Sequence, residues 1–212
     1  SWCKFTYLKP AKAGGPGGAD DHRFTNLVGS SKSDFPADGH YSITFQNCYW
    51  AEGCKERMPR ARNAELHLLN CYYNTSVSGS LAIGLGGGNN NTTCYVENTN
   101  FANIASVYRN YNSTDGGTVG IIFDGCMNGS ANVGSVSKPS YAYTVLPVAD
   151  VAAAVANGNC GAGATLNVTT AGVISSGCTV LEENEFNKSK VQFYPTLVDS
   201  TLTVELPESM DG

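Results

Sequence analysis

The run Tyr41-Ser42-Ile43-Thr44-Phe45-Gln46-Asn47-Cys48-Tyr49-Trp50 decides how this chain folds, because Ala64-Glu65-Leu66-His67-Leu68-Leu69-Asn70-Cys71-Tyr72-Tyr73-Asn74 repeats its ending. Both runs are rich in aromatic, β-branched and apolar residues, so both read as strands. Aligned on their aromatic ends, four segments superimpose: Trp2-Cys3-Lys4-Phe5, Asn47-Cys48-Tyr49-Trp50, Asn70-Cys71-Tyr72-Tyr73 and Asn98-Thr99-Asn100-Phe101. Cys48 and Cys71 are 23 residues apart, and Cys71 and Thr99 are 28 apart. A loose period in the twenties marks a solenoid whose coils stack like residues above one another. Asn47, Asn70 and Asn98 would then form a ladder along one turn, and Cys3, Cys48 and Cys71 would stack as small buried side chains. The competing reading is coincidence among short aromatic strands.

Between the two runs lies Glu56-Arg57-Met58-Pro59-Arg60-Ala61-Arg62, three arginines in six residues of a chain with 13 Lys+Arg. This falls on a loop and the start of the next strand. A rigid scaffold there can aim guanidinium groups at an anion, and their planar fork suits a carboxylate. The alternative is a solvated basic turn paired with Glu52, Glu56 and Glu65.

The rest of the chain sets bounds. Its 212 residues allow one large domain, or one domain plus a tail. Low charge (15%) with 24 Gly and many Asn, Ser and Thr suits a β-rich protein with tight turns. A net charge of -5 argues against nucleic acid as a partner. No apolar run approaches the ~20 residues of a membrane span, and no N-terminal signal peptide is visible. Eight cysteines, an even count, favour an exported, oxidising setting. The absence of Cys-x-x-Cys argues against structural zinc. Export without a signal peptide is reconciled if the chain begins mid-domain.

Along the chain, residues 1–8 read as a strand and 9–18 as a Gly- and Pro-rich loop. Short strands are expected over 24–28, 93–101 and 119–124, with coils running to about 140. Pro147, the Ala and Val spacing, and Asn157-Gly158 predict a helix within 147–157 that covers part of the solenoid. Residues 165–189 read as a linker, with Cys160 and Cys178 as a candidate disulfide. Residues 190–206 alternate as a hairpin appended to the domain.

The arrangement of a strand, Arg57-x-Pro59-x-x-Arg62, and a strand ending Asn70-x-Tyr72-Tyr73 resembles the pectate lyase family of polysaccharide lyases. Asp21-His22-Arg23-Phe24-Thr25-Asn26-Leu27-Val28-Gly29 is similar to the family's Asp-His-x-Lys-x-x-Leu-x-Gly stretch. Ser1-Trp2-Cys3-Lys4-Phe5 and Asn159-Cys160-Gly161-Ala162-Gly163-Ala164 also resemble family segments, so the likeness covers 1–164. It implies an all-β, right-handed parallel β-helix. It implies cleavage of α-1,4-linked galacturonan by calcium-assisted β-elimination, in a secreted or cell-surface protein that is monomeric when complete. Arg57 matches the arginine taken as the base. An arginine base is demanding, because its ordinary pKa lies above ~12; it needs a desolvated, cation-crowded site. Arg62 matches the arginine that grips the substrate carboxylate, and Arg60 is a further substrate contact. Phe24 stands where the family has lysine, so Arg23 or His22 takes over that anion contact. The family's calcium carboxylates lie before Ser1, so no metal ligand falls in this chain, and the chain alone is expected to be inactive. Tyr194-Pro195 before Leu202-Thr203-Val204-Glu205-Leu206 resembles the opening of a type IX secretion sorting domain, placing a truncated domain at 190–212.

Two rivals remain at this level. A polygalacturonase would hydrolyse the same polymer with clustered carboxylates. Asp20-Asp21 and Gly39-His40 superficially match that pattern, but its Asn-Thr-Asp and Arg-x-Lys pieces are missing. The other rival is a catalytically silent carbohydrate-binding solenoid, which Phe24 in place of lysine favours.

Overall fold

The computed structural model describes residues 1–9, 14 and 21–164, and the backbone of 167–168 and 174–175. The candidate sorting segment 190–212, Cys178 of the candidate disulfide and most of 165–189 lie outside the described residues. Within that last stretch, Asn167–Val168 and Ile174–Ser175 pair antiparallel.

The described chain is a parallel β-solenoid of three four-stranded sheets. The first sheet holds β1 (Lys4–Phe5), β4 (Tyr49–Trp50), β7 (Tyr72–Asn74) and β10 (Asn100–Asn103). The second holds β2 (Leu27–Val28), β5 (Arg60–Ala61), β8 (Leu81–Leu85) and β11 (Ser106–Asn110). The third holds β3 (Tyr41–Gln46), β6 (Ala64–Leu69), β9 (Thr92–Glu97) and β12 (Val119–Asp124). Each coil contributes one strand to each sheet, and every pairing between coils is parallel.

Register explains why the aromatic ends repeat. Phe5, Trp50, Tyr73 and Phe101 occupy one rung position and stack inward, with successive ring centroids 5.3, 4.6 and 4.7 Å apart. Stacked pairs of this kind add about 0.5–1.5 kcal/mol each beyond area burial. Leu66, Cys94 and Ile121 form a second inward column, and Leu68 and Val96 a third.

The chain turns from the third sheet to the first through a left-handed residue in each coil: Trp2 (φ 56°), Asn47 (54°), Asn70 (51°), Asn98 (42°) and Gly125 (61°). Asn tolerates that conformation better than most side chains. The expected asparagine column is therefore real, yet its side chains do not simply bond along the column. Asn70 Nδ2 donates to Thr144 O and its Oδ1 accepts from Leu146 N, while Asn98 Nδ2 donates to Leu146 O. The column ties down residues 141–147.

The cysteine column forms with Cys48 and Cys71 buried, while Cys3 at its end is exposed. Cys3, Cys48, Cys54, Cys71, Cys94 and Cys126 are all free thiols, and four of them are buried. The buried four act as small apolar side chains, and none of the six belongs to a disulfide framework.

The parallel coils also stop earlier than about 140. After β12, Met127 bridges Asn100, and Val133 then pairs antiparallel with Ile121. Residues 132–147 cross the third sheet as a strap. The expected helix is present as a helix over Val148–Val155, and it lays Val151 and Val155 on Tyr72. Among the described residues no helix is long and apolar enough to cross a membrane.

Candidate active site

Segment 57–62 enters the second sheet between two neighbouring coils, and both pin it. Arg57 O accepts from Thr25 Oγ1 at 2.5 Å and from Asn26 N at 2.6 Å. Met58 N donates to Ala82 O, Arg60 N to Asn26 O and Arg62 N to Val28 O, all at 2.9–3.0 Å. From the interior, Tyr73 Oη donates to Met58 O at 2.6 Å, so the aromatic stack supports the segment directly. Met58 is fully buried beneath it. Arg57 itself has φ 61°. A non-glycine residue held there is uncommon and persists where its surroundings over-determine it.

The candidate residues sort into two clusters. In the first, the Arg57 guanidinium lies over the Phe24 ring, 4.4 Å from its centroid, and His22 packs on the same ring at 4.7 Å. Arg23 is bonded to Asp21 instead. Its Nε and Nη2 donate to Asp21 at 2.8 and 2.7 Å, and Lys55 Nζ stands 3.1 Å from the same carboxylate. The hydrogen bonds from Arg23 hold the Asp21 carboxyl well below the usual range. Asp21 is therefore committed to two cations, and Asp20, its neighbour in the hydrolase rival, lies outside the described residues. Among the described residues Arg57 has no carboxylate partner, so its donors remain available to an anion.

The second cluster is built around Asp115. This residue lies on a one-turn helix, Asn112–Asp115, in the loop between β11 and β12. Arg60 Nη2 donates a short hydrogen bond to Asp115 Oδ2, and Arg62 Nε is 3.0 Å from the same oxygen. Arg60 also lies over the Tyr111 ring, its Cζ 3.8 Å from the ring centroid. Arg62 Nη1 donates to Gly29 O at 3.0 Å. Two glycines make room. A Cβ at Gly84 would meet the Arg60 side chain at 3.0 Å, and one at Gly86 would meet Asp115 Oδ2 at 2.1 Å. Burial pushes the Asp115 carboxyl up, but the two guanidiniums outweigh it and leave it below its ordinary value. Burial likewise pulls the Arg60 guanidinium down. The desolvation required of an arginine base thus falls on Arg60, while Arg57 stays half-exposed.

Arg57 and His22 therefore meet at Phe24, Arg60 and Arg62 meet at Asp115, and Arg23 is neutralised by Asp21. Asp115 and Tyr111 were not singled out in the sequence. Their faint signal is that three close arginines need counter-charge, and that Gly84 interrupts the otherwise apolar β8 with Gly86 just past its end. No group of three or more His, Cys, Asp or Glu side chains that could hold a metal occurs among the described residues. Asp21 and Asp115 are both spent on arginines, so the residues present do not fit a calcium site, and no step below runs through that ion.

No protein-family profile matches the chain. Two curated relatives, each named pectate trisaccharide-lyase, come from Thermotoga sp. (strain RQ2) and Thermotoga maritima. Each is 34% identical over 87 residues, covering 38% of this chain and 20% of its own length. The matched region spans about a fifth of those relatives. Among solved structures, a thermostable pectate lyase aligns at TM-score 0.41 and 17% identity, over 58% of this chain and 35% of its own. A doubly substituted pectate lyase from Xanthomonas campestris aligns at TM-score 0.41 and 24% identity, over 66% of this chain and 47% of its own.

Proposed function

We propose that this chain carries part of the active site of a polysaccharide lyase acting on galacturonan. The observation that supports the reading most is Arg57: a half-exposed guanidinium with a pinned backbone, lying on a ring, without a carboxylate partner among the described residues. In β-elimination a base takes the proton α to the uronate carboxylate. The new carbanion expels the glycosidic oxygen at the β position, which leaves with the bonding electrons and is protonated. A double bond remains in the sugar. Negative charge develops on the carboxylate during the step, so fixed cations aimed there favour the transition state. Arg57 is assigned the contact with the reacting sugar, as base by resemblance, and Arg62 the grip on its carboxylate. Arg62 offers only part of its fork, because Nε and Nη1 are already engaged. The calcium assistance that the resemblance implies would need ligands other than Asp21 and Asp115, which are bonded to arginines. A polymeric substrate places the protein outside the cell or on its surface, and the protein is expected to act as a monomer.

The second reading is a carbohydrate-binding solenoid without catalysis. It is favoured by Phe24 occupying the position where the resemblance calls for a lysine. Incubation of the complete protein that carries this chain with polygalacturonate separates the readings. A lyase produces ultraviolet absorbance from the unsaturated product, a hydrolase produces reducing ends without it, and a binding protein produces neither.

A further inference from the structure

We infer that Phe24 is a positioning residue for Arg57, an inference that rests on the lyase reading only for the identity of the ligand. The segment 24–26 forms a saddle for position 57. Thr25 and Asn26 hold the Arg57 carbonyl, at 2.5 and 2.6 Å, and Phe24 receives its guanidinium at 4.4 Å. The ring is itself fixed. Its backbone bridges Glu56 in parallel, its carbonyl accepts a short hydrogen bond from Tyr7 Oη, and His22 braces its other contacts. A charged guanidinium is attracted to a ring face while its N–H edge remains free in the plane. A carboxylate is recognised through that edge, by two parallel hydrogen bonds. An unsupported arginine would have to order several torsions on binding; here the ring has ordered them beforehand. Where the resemblance calls for a lysine, Phe24 removes one cation from the site and fixes the orientation of another.

The test uses the protein with isotopically labelled arginine, as wild type, Phe24→Leu and Phe24→Tyr, with trigalacturonate as the probe. The ring should move the Arg57 side-chain resonances upfield in the wild type and in Phe24→Tyr, and leave them at random-coil positions in Phe24→Leu. Trigalacturonate affinity should fall roughly two- to five-fold in Phe24→Leu and recover in Phe24→Tyr. Unshifted Arg57 resonances in the wild type would overturn the inference, as would equal affinity in wild type and Phe24→Leu. Should Phe24→Leu fail to fold, the wild-type and Phe24→Tyr spectra decide it. If the wild type binds no trigalacturonate but the ring shift is present and is lost in Phe24→Leu, the uronate reading falls and the positioning role stands.

Discussion

On the lyase reading proposed above, the fork at position 57 outweighs the charge. Arg57→Lys keeps a cation over Phe24 but loses the planar pair of donors and the position of the basic nitrogen. Its elimination rate should fall by roughly 100-fold or more, while affinity for oligogalacturonate changes only a few-fold. Initial rates against substrate concentration measure both. Arg62→Ala should weaken binding more than turnover, since a carboxylate grip serves ground and transition states alike. Position 115 carries a different expectation. Asp115→Asn leaves the buried Arg60 without a counter-charge, which should cost about 3 kcal/mol in a denaturant titration. A paired Arg60→Leu and Asp115→Leu replacement should recover much of that loss. The Arg57 motif and its place at a strand entry were legible in the sequence because the motif sits between two readable strands. Asp115 was not, because it lies 55 residues from Arg60 along the chain, and only the stacking of coils brings them together.

At the level of elements, the aromatic stack and the strap differ in how they are encoded. Trp50, Tyr73 and Phe101 repeat at equivalent rungs, so periodicity alone exposes them. Tyr73→Phe keeps the stack but leaves Met58 O without its donor, and should destabilise the fold by about 1 kcal/mol. The strap over 132–147 repeats nothing. Its anchors are single polar contacts made outward from the third sheet. Tyr141 Oη lies 2.5 Å from His67 Nδ1 and 2.7 Å from Thr44 Oγ1, and Lys138 pairs with Glu97. Glu97 stands 3.5 Å from His67 Nε2, with Tyr95 and Tyr143 packed around the ring. Burial pulls the His67 pKa down, against the pull of Glu97. The folded state therefore prefers neutral His67, and the stability this contributes is complete above the unfolded value of about 6.5. It is lost as pH falls below that value. Thermal unfolding followed from neutral pH to about pH 5 should show a falling midpoint, and His67→Phe should flatten that slope. Carboxylates such as Asp21, whose pKa is also depressed, lose their contribution only in a more acidic window, below about pH 4.

For the whole molecule, the solenoid was legible because three successive coils repeat one pattern: a left-handed Asn (Asn47, Asn70, Asn98), a small buried residue, and an inward aromatic two positions further on. The coil count and the free thiols were not legible. Residues 129–140 have turn-rich composition whether or not they coil, and a buried thiol is indistinguishable in sequence from a paired one. The helix over 148–155 was legible from its apolar spacing, since Val151 and Val155 fall one turn apart on the face that covers Tyr72. The division of labour between Arg57 and the pair Arg60–Arg62 emerged only with the neighbouring coils in place. The lyase reading is tested most directly by incubating the complete protein that carries this chain with polygalacturonate while recording ultraviolet absorbance and reducing ends together. Absorbance and reducing ends rising in proportion, and both suppressed in Arg57→Lys, is the result predicted. Reducing ends without absorbance, or an Arg57→Lys protein with wild-type rates, would contradict it.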